Sequence, residues 1–126
     1  MKKKKTRILV VDDDSAIGEM LQMLLEMNGL VVVVTYEPAK TEENIIAHGT
    51  DLVLLDMLIS GVNGTDVCAR LRSDETLDQV SILMMSALHD AGKRCKEAGA
   101  DDFIAKPFEV DELLQKINKC VAKGID

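Results

Sequence analysis

Five short apolar runs, none alternating with polar residues, limit what this chain can become. They fall at residues 8–11, 31–34, 52–55, 82–85 and 103–105. Each has the length of a strand, and unbroken hydrophobicity belongs to strands covered on both faces, as in a parallel sheet sandwiched between helices. The run from Val31 to Val34 holds four β-branched residues, which favours the extended backbone.

The stretches between these runs have helical periodicity. Ile17, Met20, Leu21, Leu24 and Leu25 recur at the spacing of one helical face. Asp14 or Ser15 can cap that helix, and Asn28-Gly29 can end it. Pro38 suits the first turn of a second helix that stops near Gly49. Its large apolar residues are only Ile45 and Ile46, so it is thinly anchored. Residues 65–72 form a third helix with Val67, Cys68 and Leu71 inward. A weak fourth spans 90–98, holding Gly92 and little apolar surface beyond Ala91, Cys95 and Ala98. Val110, Leu113, Leu114, Ile117 and Val121 define a clear fifth.

Strand then helix, five times over, predicts an α/β fold: a five-stranded parallel sheet, doubly wound by right-handed crossovers. Ligands on such sheets bind beyond the carboxyl ends of the strands. Chemistry is therefore expected just after Val11, Leu55, Met85 and Ala105.

Composition narrows the function classes. A chain of 126 residues is one domain, and 47% hydrophobic with 29% charged residues is ordinary for a soluble globular protein. Fifteen basic against 22 acidic residues give a net charge of −7, which argues against direct binding of nucleic acid. The lysines at 2–5 are the only basic run and read as a frayed tail. The longest uncharged stretch, 79–89, is too short to span a membrane, and no secretory signal precedes the first strand. Cys68, Cys95 and Cys120 show neither metal spacing nor a disulfide framework, and His48 and His89 pair with none of them. Reduced thiols and a cytoplasmic setting are expected.

The strand ends carry the chemistry. Asp12, Asp13 and Asp14 follow the first strand, Asp56 the third, Ser86 the fourth and Lys106 the fifth. A doubly wound sheet gathers them at one rim. Crowded carboxylates must hold protons or a cation, and oxygen ligands suit Mg²⁺. A metal site beside a carboxylate, a hydroxyl and an ammonium is equipment for phosphoryl transfer. Read singly, each group has a plainer role: Asp12 to Asp14 as a helix cap, Lys106-Pro107 as a strand ending. Asp56 is harder to dismiss, because a carboxylate directly after Leu52 to Leu55 is costly unless paired or solvated.

These segments together resemble the receiver domain of two-component response regulators. The resemblance rests on Ile8-Leu9-Val10-Val11-Asp12-Asp13, Asp51-Leu52-Val53-Leu54-Leu55-Asp56, Ile82-Leu83-Met84-Met85-Ser86-Ala87 and Lys106-Pro107-Phe108. It implies a flavodoxin-like (βα)5 sheet of order 2-1-3-4-5, with a basic tail at 1–5, the receiver at 6–122 and a C-terminal tail at 123–126. It implies Asp56 as phospho-acceptor for a sensor histidine kinase or phosphotransfer protein. Asp13, Asp56 and the Leu58 carbonyl would bind Mg²⁺, and Asp12 would hold a metal-bound water. Ser86 would hydrogen-bond the phosphoryl group, Lys106 would pair with it, and Phe103 would be the aromatic switch partner of Ser86. The output partner would read the face of the fourth helix, fifth strand and fifth helix. Such a chain is no turnover enzyme; it would be a monomer or weak dimer, either alone or as one domain of a larger protein.

Two departures stand out. The family usually has proline where Ser60 stands, so the loop after Asp56 should be looser. Asp14 has no family role and reads as a cap. Three other functions compete with this one. A haloacid-dehalogenase-like phosphatase could use Asp12 and Asp14 but leaves Asp56 idle and puts Asp101 and Asp102 before the fifth strand. A flavin carrier would need a phosphate cradle where three aspartates stand. A phosphorylation-independent binding module on the same fold would be expected to have lost one of the acceptor groups.

Overall fold

The computed structural model describes residues 5–59 and 61–122. Strands β1 (Arg7–Val11), β2 (Val31–Thr35), β3 (Leu52–Asp56), β6 (Ser81–Ser86) and β7 (Asp102–Ala105) form one sheet. Every neighbouring pair in it is parallel. A separate antiparallel pair, β4 (Leu58–Ile59) and β5 (Val62–Asn63), lies between β3 and the helix that starts at Gly64. The sheet order β2-β1-β3-β6-β7 is 2-1-3-4-5 once that small hairpin is set aside.

Both faces of the sheet are buried, which explains the unbroken apolar runs. Leu9, Val11, Val53, Leu55, Ile82 and Met84 point to one side, against α2 (Thr41–His48), α3 (Gly64–Arg72) and α4 (Gly92–Glu97). Ile8, Val10, Leu52, Leu54, Leu83 and Met85 point to the other, against α1 (Ser15–Met27) and α5 (Val110–Ala122). The period of two that one wet face would have shown is hidden because both sets are apolar.

Local chemistry sets the helix ends. Asp14 Oδ1 accepts from the amides of Ala16 and Ile17 at 3.0 and 3.3 Å, so Asp14 is the cap expected of it. Gly49 ends α2 in the left-handed region at φ +60°. Pro38 opens a separate 3₁₀ turn, Pro38–Lys40, rather than α2 itself. The Thr41 hydroxyl donates to the Pro38 carbonyl at 2.7 Å, and α2 begins there. Ile45 is buried whereas Ile46 is 71% exposed, in keeping with a thinly anchored helix.

The fourth helix is shorter than the 90–98 span expected. It covers Gly92–Glu97 and has no side-chain cap; buried Ala91 and Cys95 hold it to the core. Arg72 ties the far end of this region together: its guanidinium donates to the carbonyls of Gly99 and Val80 and to Asp101 Oδ2, each at 2.8 Å. Asp101 therefore serves as an anchor, and its Oδ2 also accepts from the Ile82 amide.

The hairpin after Asp56 was not expected. Gly61 takes φ +78° at its tip, beside Ser60, which lies outside the described residues together with the looseness expected of it. Most of the two tails also lies outside them. Among the described residues no helix is long and apolar enough to cross a membrane. The three cysteines are buried and unbridged.

Candidate functional site

The sheet brings the expected groups to one rim. Asp12 follows the last residue of β1; Asp56 and Ser86 are the last residues of β3 and β6; Lys106 follows β7. The register sets Asp56 beside Met85 and Ser86 beside Ala105, so the ends of the three right-hand strands stand level.

Three carboxylates converge. One oxygen each from Asp12, Asp13 and Asp56 lies within 4.8 Å of the others. Asp12 is 1% exposed, Asp56 half-buried and Asp13 exposed. Asp12 Oδ1 accepts from the Asp14 amide at 2.9 Å. Asp12 Oδ2 is buried and accepts no hydrogen bond among the described residues. Burial pushes the Asp12 carboxyl above the ordinary carboxylate range, and the nearby Asp56 charge pushes the same way. An orphaned, buried carboxylate oxygen beside two more carboxylates is the donor set a small hard cation requires.

Lys106 closes the acidic group from the other side. Its Nζ lies 3.1 Å from Asp56 Oδ2 and 3.7 Å from Asp12 Oδ2. Ser86 is 3% exposed, and its Oγ accepts from the Leu88 amide at 3.0 Å, which fixes the first residues after β6. That bond uses the oxygen as acceptor, so the hydroxyl proton is available to an oxygen in the cleft.

A cleft of about 670 Å³ opens over Asp56. Ser86, Lys106, Leu58 and Leu88 line it, with Asn63 and Arg94. Leu58 and Leu88 are 68% and 51% exposed, an apolar edge that water does not favour. The side of the cleft toward α3 is built by a close approach. The Gly64 amide donates to the Met57 carbonyl at 2.6 Å, and Asn63 caps α3 by accepting from the Thr65 amide at 3.1 Å. Phe103 is half-buried, packed on the α2–α3–α4 side of the sheet; a Cβ on Gly92 would stand 3.4 Å from its ring.

The structure thus sets Asp56, Ser86, Lys106 and Leu58 on one cleft, with Asp12 and Asp13 clustered beside Asp56. Arg94 and Asn63 also line the cleft, and the sequence reading assigned them nothing. Asn63-Gly64 before an amphipathic stretch is a capping signal that could have located the second. Arg94 carries no such signal, because its place follows from the unforeseen start of α4.

Comparison with known proteins agrees with this geometry. The family model of the response regulator receiver domain matches residues 8–118. The DNA-binding dual master transcriptional regulator RpaA of Synechocystis is 36% identical over 113 residues, 88% of this chain and 47% of that protein. The response regulator MprA of Mycobacterium ulcerans is 38% identical over 113 residues, 88% of this chain and 48% of that protein. The chain spans about half the length of these curated relatives. The name of RpaA includes DNA binding, so the expectation of no direct nucleic-acid contact finds no support here.

Among solved structures, the BeF3-activated N-terminal receiver domain of Klebsiella pneumoniae RstA superposes with a TM-score of 0.83 at 29% identity, covering 92% of this chain and 98% of that one. The signal receiver domain of a DNA-binding response regulator from Colwellia psychrerythraea gives 0.83 at 25% identity, covering 94% and 99%. Neither the phosphatase nor the flavin reading gains from these likenesses. With the fold, the strand-end acids and the sequence match over 8–118 in agreement, the chain belongs to the response regulator receiver domain family.

Proposed function

We propose that this chain is a phosphorylation-activated receiver that takes a phosphoryl group from a phosphohistidine onto Asp56. The observation that carries the reading is the Asp12–Asp13–Asp56 cluster closed by Lys106 at 3.1 Å from Asp56. The donor would be a sensor histidine kinase or a phosphotransfer protein. A likeness supports it: the RstA receiver is BeF3-activated, and beryllofluoride on a carboxylate stands in for a phosphoryl group.

The residues fit Mg²⁺: Asp13, Asp56 and the Leu58 carbonyl would hold it, and Asp12 would orient one of its waters. When bound, the ion neutralises charge on the phosphoryl oxygens. The rest falls to the protein. Asp56 presents a carboxylate oxygen to phosphorus. Lys106, already 3.1 Å from that carboxylate, stabilises charge that develops beside it. The Ser86 hydroxyl donates to a phosphoryl oxygen after transfer. Its movement toward the cleft frees space for Phe103 to turn inward, and the face of α4, β7 and α5 changes for an output partner. Phosphorylation adds about −1.5 to −2 charge, which is ample to bias so lightly packed a helix as α4.

The chain catalyses only its own phosphorylation and dephosphorylation, acts in the cytoplasm, and is a monomer or weak dimer. Acetyl phosphate with Mg²⁺ should add one phosphoryl group to the intact protein by mass spectrometry, and excess EDTA should prevent it. Equal labelling with and without the ion would refute the metal assignment.

A further inference from the structure

Two cations line the cleft over Asp56, Lys106 and Arg94, and they are differently committed. Lys106 is engaged, with its Nζ 3.1 Å from Asp56 and 3.7 Å from Asp12. Arg94 is exposed on α4, and among the described residues its guanidinium makes no ion pair or hydrogen bond. The short helix that carries it is basic, with Lys93, Arg94 and Lys96 against Glu97, in a chain of net charge −7.

An anionic phosphodonor must approach a site made of three carboxylates within 4.8 Å of one another. The uncommitted cation at the mouth of that site is the group placed to offset the repulsion. A guanidinium is also the side chain best shaped to grip two phosphoryl oxygens at once.

We propose that Arg94 is the donor-recognition residue of this cleft. Its guanidinium binds the phosphoryl oxygens of an anionic donor and holds the phosphorus over Asp56. In the transfer that follows, an Asp56 carboxylate oxygen forms a bond to phosphorus. The bond from phosphorus to the donor's leaving atom breaks. With acetyl phosphate that atom is the bridging oxygen, and acetate leaves with the electron pair. With phosphoramidate it is the nitrogen, already protonated near neutral pH, which leaves with the pair as ammonia; the imidazole nitrogen of a phosphohistidine would leave in the same way. Arg94 exchanges no proton and acts through charge and position. The inference rests on the receiver reading above and adds the group that selects the donor.

The test compares two small donors on the full chain with Mg²⁺. Near neutral pH acetyl phosphate is a dianion and phosphoramidate carries a single net charge. Arg94→Gln should lower the second-order labelling constant for acetyl phosphate about threefold to fivefold, the size of a strong exposed charge contact. The constant for phosphoramidate should fall by less than about twofold, because the steering scales with donor charge. Arg94→Lys should recover part of the loss for acetyl phosphate, because lysine restores the charge but not the two-point grip. A purely structural role predicts an equal fall for both donors and no rescue by lysine. Either that pattern or an unchanged acetyl phosphate constant in Arg94→Gln overturns the inference while wild-type labelling keeps the receiver reading intact. A wild-type chain that takes no label from either donor overturns both.

Discussion

Gly64→Ala tests how Asp56, the proposed acceptor, is held in place. An ideal Cβ at Gly64 would collide with the Asp56 carbonyl oxygen, and it would stand 2.8 Å from Met57 Cα and 3.0 Å from the Met57 carbonyl carbon. All three obstacles are backbone atoms, so no rotamer change relieves them. The start of α3 must move away from the end of β3, which breaks the 2.6 Å bond from the Gly64 amide to the Met57 carbonyl. Overpacking of this kind costs about 1–3 kcal/mol, and contacts this short against rigid backbone place it near the top of that range. For a domain of this size 1 kcal/mol is worth about 3–5 °C, so the melting midpoint should fall by roughly 6–15 °C. Asp56 moves with the strand end, and a misplacement near 1 Å costs about 10²-fold in rate. Labelling by acetyl phosphate at a temperature where the variant is folded should therefore slow about tenfold to a hundredfold. Gly29→Ala is the control, because that glycine has φ +85° with no atom within 4 Å of its would-be Cβ. It should lose about 1–2 kcal/mol through backbone strain alone and label at the wild-type rate. A Gly64→Ala chain that melts within about 2 °C of wild type and labels normally would refute the close-approach argument.

The phosphorylated state should be long-lived, since Leu58 and Leu88 flank the cleft and neither can orient a water. The pair Leu58→Asn with Leu88→Glu should decay at least about tenfold faster in Mg²⁺, and an unchanged decay would show that water enters elsewhere. The thiols should be inert in the folded protein, because Cys68, Cys95 and Cys120 are buried and burial raises the Cys68 thiol from 9.0 to about 11. At pH 8 that leaves about a hundredfold less thiolate than an ordinary cysteine, so a disulfide reagent should titrate three thiols only after denaturation. Rapid reaction of any thiol in the native chain would contradict the packing.

The sheet was legible because the pattern of each strand reports both of its faces at once. Residues 52–55 could be unbroken Leu and Val only if Val53 and Leu55 faced one helical layer while Leu52 and Leu54 faced the other. The polar groups of the rim were legible for a related reason: a polar residue directly after such a run stands at the one rim where the topology collects ligands. Short elements escaped. The β4–β5 pair has two residues per strand, too few for any period to show. The start of α4 depends on how the segment after Ser86 turns, with the Leu88 amide donating to Ser86 Oγ, and Asp90, the one capping residue type just before the helix, is not its cap: Ala91 holds that position with no side-chain bond. Arg94 takes its place from that start, so only the folded chain put it on the cleft. Asp101 shows only its position before the last strand in the sequence, and its role as the partner of Arg72 depends on residues 29 apart.

The central claim is that one carboxylate, Asp56, receives the phosphoryl group. Borohydride reduces an acyl phosphate to an alcohol, so treating the phosphorylated chain and mapping its peptides marks the acceptor as homoserine. The account predicts homoserine at position 56 alone, and no phosphoryl mass on Asp56→Asn under the same conditions. Homoserine at position 12 or 13, or a labelled Asp56→Asn chain, would contradict it.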